Sequence, residues 1–124
     1  MSPRERLKAN VRALEILRDV LHEGREATAE ERAELGKFRG WGGIDTSRWY
    51  DLDELRRVPR TSPWGPERPT EESEAKARLA DVLGELDPDG KRKLLDGIRG
   101  AGLTRDDTPT AVGRSINQFF ELAG

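Results

Sequence analysis

Four prolines within eleven positions, Pro59, Pro63, Pro66 and Pro69, constrain this 124-residue chain more than any other feature. Proline lacks the backbone N–H that a helix uses, and it pushes the preceding residue out of the helical region. No helix runs through this stretch. Residues 59–70 read as a Pro-rich loop or linker, and both a functional loop and a disordered segment fit such a length. Amphipathic helices must therefore be built on either side of it.

On the N-terminal side, residues 3–23 predict the longest helix. Leu7, Val11, Leu14, Leu17, Val20 and Leu21 form one apolar stripe, with Arg4, Glu5, Lys8, Arg12 and Glu15 on the other face. Ser2 suits the N-cap, Pro3 the first helical position and Gly24 the C-terminal stop. Thr28-Ala-Glu-Glu31 is a capping box: the threonine oxygen accepts from the third backbone N–H while Glu31 reaches back. It opens a helix from Ala29 to about Phe38. That helix ends at Arg39-Gly40-Trp41-Gly42-Gly43, a tight bend with one large ring beside it. Asp51–Val58 predicts two further helical turns through Leu52, Leu55 and Val58.

Beyond the prolines, Thr70 starts a helix with Glu71, Glu72 and Glu74 in its first turn, where negative charge suits the helix dipole. Ala75, Leu79, Val82, Leu83 and Leu86 are its inward residues. Asp87-Pro88 starts another, with Leu94, Leu95 and Ile98 inward and Gly100 and Gly102 as its end. A last helix starts at Thr108-Pro109 and runs through Val112, Ile116, Phe119, Phe120 and Leu122. No alternating strand pattern exceeds a few residues, and no repeat occurs at solenoid spacing. The expected fold is all-α: a small bundle of about five short helices in a single domain, 1–124, with a Gly/Trp turn and a Pro-rich irregular loop in the middle.

Charge and composition exclude several functions. Charged residues make up 37% against 34% apolar, so the core is thin. Twenty-two basic and 24 acidic side chains leave a net charge of −2, which argues against avid, sequence-blind nucleic-acid binding. With no cysteine, disulfides and thiolate chemistry are excluded, and a cytoplasmic location is the expectation. No apolar run reaches membrane-spanning length, so no membrane partner is expected. The single histidine, His22, lies late in the first helix beside Asp19 and Glu23 and reads as structural. The DPDG run at 87–90 lacks the ligand ladder of a calcium loop and reads as a helix start. No catalytic residue, metal site or cofactor is expected.

The run RLKANVRALEILRDVLHEGREATAEERAELGKFRGWGGI resembles the N-terminal, non-catalytic leader of large adenine-specific DNA methyltransferase and helicase proteins of mobile elements. The matching positions are Asn10, Ala13, Leu17, Leu21, Gly24, Arg25, Ala27, Thr28, Glu30, Glu31, Leu35, Phe38 and Gly40-Trp41-Gly42-Gly43. A second, weaker likeness covers AGLTRDDTPTAVGRSINQFFELAG, which resembles the block before the cofactor motif in such enzymes. By that resemblance alone, Thr108 and Pro109 correspond to the turn lining the S-adenosylmethionine pocket. Here Asp107 replaces the family's aromatic residue and would lie near the cofactor's carboxylate. A glycine-rich methyltransferase motif, the Asn/Asp-Pro-Pro-Tyr/Phe motif that grips a flipped base, and a Walker-type loop are all missing from the 124 residues.

Trp41, Trp49, Tyr50 and Trp64 lie among Lys37, Arg39, Arg48, Arg56, Arg57 and Arg60. Mixtures of this kind stack on bases, build protein interfaces or fill a core. With Asp45, Asp51, Asp53 and Glu54 interspersed, the window carries roughly +2. Arg39, Trp41, Arg48, Trp49, Arg56, Arg57, Arg60 and Trp64 are accordingly the candidate contact residues. Phe119 and Phe120 are core if the last helix packs, and a docking pair if it does not. The leading expectation is a non-catalytic protein that binds a protein partner in DNA modification or anti-restriction. The alternatives are a DNA-binding module using residues 39–64, and a methyltransferase subunit completed in trans.

Overall fold

A computed structural model of the chain describes residues 2–60, 62–104 and 117–119. It is mostly helical, with almost no strand, as the sequence pattern predicts. The helices are α1 Pro3–Glu23, α2 Ala29–Leu35, α3 Leu52–Leu55, α4 Glu71–Gly84 and α5 Pro88–Thr104, and residues 117–119 are also helical.

The predicted caps form. The Ser2 hydroxyl accepts from the Glu5 N–H at 3.2 Å, and Gly24 ends α1 with a left-handed φ of 61°. Thr28 and Glu31 exchange hydrogen bonds at 2.9 and 3.1 Å, closing the capping box of α2. A second box is formed at Thr70 and Ser73, which starts α4 directly after Pro69. The Asp87 carboxylate accepts from the Gly90 N–H at 2.6 Å and sets the start of α5.

Three boundaries differ from expectation. Helix α2 stops at Leu35 rather than near Phe38, because the chain tightens into turns in which Lys37 donates to the Glu34 carbonyl and Phe38 to that of Leu35. This swings the Phe38 ring into the core. Helix α3 is a single turn, capped by Asp51 and finished before Val58, whose helical conformation Pro59 disfavours. Helix α5 runs through Gly100 and Gly102 to Thr104 instead of ending at the glycines.

Helix α1 packs along α4, with α2 against α1, α3 against α4 and α5 against α4. Leu7, Val11, Leu14 and Leu17 of α1 meet Leu79, Val82 and Leu83 of α4 in one apolar cluster. The same cluster takes in Phe38, Trp41, Ile44 and Trp49 from the connecting segment, Leu94, Leu95 and Ile98 from α5, and Phe119. Phe119 is therefore a core residue, while Phe120 lies outside the described residues. Across the helix pair, the Arg78 guanidinium donates both to one Glu15 oxygen at 3.1 Å and to the other. Among the described residues no helix is long and apolar enough to cross a membrane.

Candidate functional site

Several residues of the family-like signature build two structural devices. The first joins α1 to the glycine–tryptophan bend. Asn10, wholly buried, donates through Nδ2 to the Gly40 carbonyl at 2.5 Å and accepts through Oδ1 from the Arg39 N–H at 3.0 Å. One helical turn earlier, Arg6 donates to the Gly42 carbonyl. The bend needs left-handed φ at Gly40 (75°) and Gly43 (83°), which glycine adopts without strain. It lays the Trp41 indole edge-on between Phe38, 6.0 Å away, and Trp49, 6.2 Å away. Offset and T-shaped ring pairs of this kind add about 0.5–1.5 kcal/mol beyond area burial.

The second device fastens the turn between α1 and α2. Arg25 forks onto Glu31 with contacts of 2.6 and 3.0 Å, while Glu31 also accepts from the Thr28 N–H. Those two donors, Arg25 first, pull the Glu31 carboxyl down to about 2. In return the carboxylates of Glu31, first, and Glu23 raise the Arg25 guanidinium further above its ordinary value. Arg32 adds a bond to the Ala27 carbonyl at 2.7 Å. The R-x-A-T-x-E-E run thus closes a helix–helix corner.

These placements correct part of the expected contact set. Trp41 and Trp49 are interior, 2% and 4% exposed, so their rings offer no surface to a partner. The Arg39 guanidinium donates to the Gly36 and Phe38 carbonyls at 2.6 and 3.0 Å, covering the frayed end of α2. Trp41 and Trp49 are thus core residues, while Arg39 stays exposed.

The other candidates gather near the proline loop. Arg48 and Arg57 line a cleft of about 400 Å³ with Ser47, Pro59, Thr70 and Lys76. Within it, the Ser47 hydroxyl and backbone N–H bond Asp45 and hold its carboxyl below the usual range. A second cleft of about 510 Å³ is lined by Arg56, Arg57, Val58, Pro59, Arg60 and Glu67. Arg57 and Pro59 belong to both walls. The arginines face carboxylates of their own chain: Arg56 with Asp81 at 2.6 Å, Arg57 with Glu54 at 3.8 Å, and Arg60 with Glu67 at 3.3 Å.

The loop itself is closed rather than a free linker. An antiparallel bridge joins Arg60 and Glu67, the Arg68 N–H donates to the Pro59 carbonyl at 2.9 Å, and Gly65 to that of Ser62 at 3.0 Å. Trp64 stands at the tip, 96% exposed. Of the candidate set, Arg48 and Arg57 share one cleft and Arg56, Arg57 and Arg60 the other, while Trp64 lines neither.

Thr108 and Pro109, matched to a cofactor turn by resemblance, lie outside the described residues. His22 is at the surface, 3.9 Å from a Glu85 oxygen. Sequence reading assigned no role to Thr46, which is wholly buried and donates to the Arg99 carbonyl of α5 at 2.8 Å. Nor did it find Asp81, the partner of Arg56. Both pairings span distant positions, and no local spacing announces them. Compared with family models, curated proteins and solved structures, the chain matches none.

Proposed function

We propose that this chain is a non-catalytic, cytoplasmic scaffold that binds a protein partner in a DNA-modification or anti-restriction system of mobile elements. The observation that carries the reading is the division of labour between two residue sets. The residues resembling the methyltransferase leader are spent on holding α1, α2 and the glycine–tryptophan bend together. Four exposed arginines, Arg48, Arg56, Arg57 and Arg60, instead line two adjoining clefts beside the proline loop. An arginine-rich rim around partly apolar clefts is a common composition for a protein-binding face.

The arginine–carboxylate pairs weigh against the DNA-binding alternative. Arg56, Arg57 and Arg60 are each offset by a neighbouring acid, whereas phosphate binding draws on cationic charge in excess.

The test is affinity capture from native lysate with the chain and an Arg48→Glu/Arg57→Glu variant, with the bound proteins identified by mass spectrometry. The expected result is a DNA-modification or restriction protein that the wild type retains and the variant loses. Recovery of no nucleic-acid-processing protein, or equal recovery by both, would overturn the reading.

A further inference from the structure

Trp64 is the one tryptophan among the three that the fold leaves in water. Burying an indole removes roughly 150–250 Å² from solvent, so a fixed, exposed indole is a strong anchor for association. The loop that carries it is tied at its base by the Arg60–Glu67 bridge and at its tip by the Ser62–Gly65 turn. The anchor is thus presented by a closed loop, and ordering it on binding costs less than ordering a free chain.

The cleft at the base of the same loop has the complementary chemistry. It is lined by Val58 and Pro59 together with Arg56, Arg57, Arg60 and Glu67. Apolar side chains such as Val58 and Pro59 can pack on an aromatic ring, and guanidinium groups can stack on its face. The cleft, of about 510 Å³, lies within the size range of pockets that enclose ligands larger than an indole. Knob and hole therefore occupy the two ends of one loop, separated by only four residues from Arg60 to Trp64, at most about 14 Å of extended chain.

We propose that a second copy of this chain is the occupant: two proline loops lie antiparallel across a two-fold axis, each Trp64 entering the partner's cleft beside Pro59. Such an arrangement is isologous, since the same patch serves both copies and the association closes at two. Charge permits it, because the paired arginines and carboxylates leave the patch close to neutral and two copies meet without strong repulsion. The area sets the strength. Two indoles bury roughly 300–500 Å², and the adjoining loops keep the whole at the small end of specific interfaces. The dimer is reversible and weak.

Sedimentation velocity from about 1 μM to about 1 mM reads the proposal directly, that being the range in which small interfaces saturate. The expected result is a monomer that converts to dimer with rising concentration, while tryptophan emission shifts to the blue as the exposed indole is buried. Trp64→Ala weakens the association about 30-fold or more. Arg57→Ala weakens it several-fold through loss of a cleft wall. Tyr50→Ala, which removes an exposed aromatic outside the loop, leaves it unchanged. Trp64 and Arg57 are exposed, so both variants keep the wild-type circular dichroism. A monomer at every concentration, a dimer that survives Trp64→Ala, or a loss shared equally by Tyr50→Ala would overturn the proposal. So would salt-sensitive binding of a single-stranded oligonucleotide that quenches Trp64, which would place nucleic acid on the loop instead.

Discussion

Asn10 is a polar residue in the apolar face of α1, and its side chain explains both its burial and the bend thirty residues away. It serves one backbone acceptor at Gly40 and one backbone donor at Arg39. Asn10→Ala leaves both groups without their partner in a dry site, at about 1–3 kcal/mol for each buried polar group left unsatisfied. We expect an overall loss of about 2–3 kcal/mol, measured as a shift in the urea midpoint at unchanged slope. Glu31 shows a different residue-scale effect. Its carboxyl is held at about 2 in the folded chain by Arg25 and Thr28, against 4.5 ordinarily. A depressed carboxyl contributes stability that is complete above its unfolded value and is lost as pH falls through the folded one. The stability difference between wild type and Glu31→Gln is therefore expected to shrink between about pH 4.5 and pH 2, followed by thermal melts across that window. A difference that stays constant over the window would rule the Arg25–Glu31 fork out as its source.

Elements were legible where local chemistry decides them. The Thr28 capping box, the first-turn prolines and the 3.6-residue stripes place α1, the start of α2, α4 and the start of α5, because a cap and a stripe are properties of neighbouring residues. The end of α5 was not legible for the same reason. Gly100 and Gly102 have the look of a stop signal, yet both are helical, and Thr46 from a distant loop packs against Gly102. A Cβ at position 102 would come within 2.1 Å of Thr46 Oγ1 and 2.8 Å of its Cβ. Thr46 is wholly buried, β-branched and bonded to the Arg99 carbonyl, so it has little room to withdraw. Gly102→Ala is expected to destabilise the fold by about 1–3 kcal/mol, the range for overpacked sites, although alanine is the better helix former. A gain in melting temperature would mean that the helix propensity outweighs the clash. Gly24→Ala is the useful contrast. Nothing lies within 4 Å of its Cβ position, so only the left-handed φ opposes the change, at about 1–2 kcal/mol.

At the scale of the whole molecule, one apolar cluster draws on the α1–α4 pair, the glycine–tryptophan bend, α5 and Phe119. A core shared by α1, α4, α5 and the bend predicts a single cooperative transition. In Trp64→Phe, fluorescence from the buried Trp41 and Trp49 is expected to follow the same urea curve as helical circular dichroism. Separate midpoints would show that the bend opens before the helices melt. The same substitution removes the fluorescence that acrylamide reaches, because the two remaining indoles are interior. What the sequence alone determined was the helical class, the caps and the place of the proline break, all set by propensities and hydrogen bonds among residues a few positions apart. Only the tertiary structure decided which aromatic rings are core and which one faces water, since Trp41, Trp49 and Trp64 share a composition and differ in what packs against them. It likewise decided that the prolines close a loop, through a bridge between Arg60 and Glu67, and that Arg56 meets an acid far along the chain, Asp81. Burial and long-range pairing depend on where the chain returns, and no local pattern encodes that.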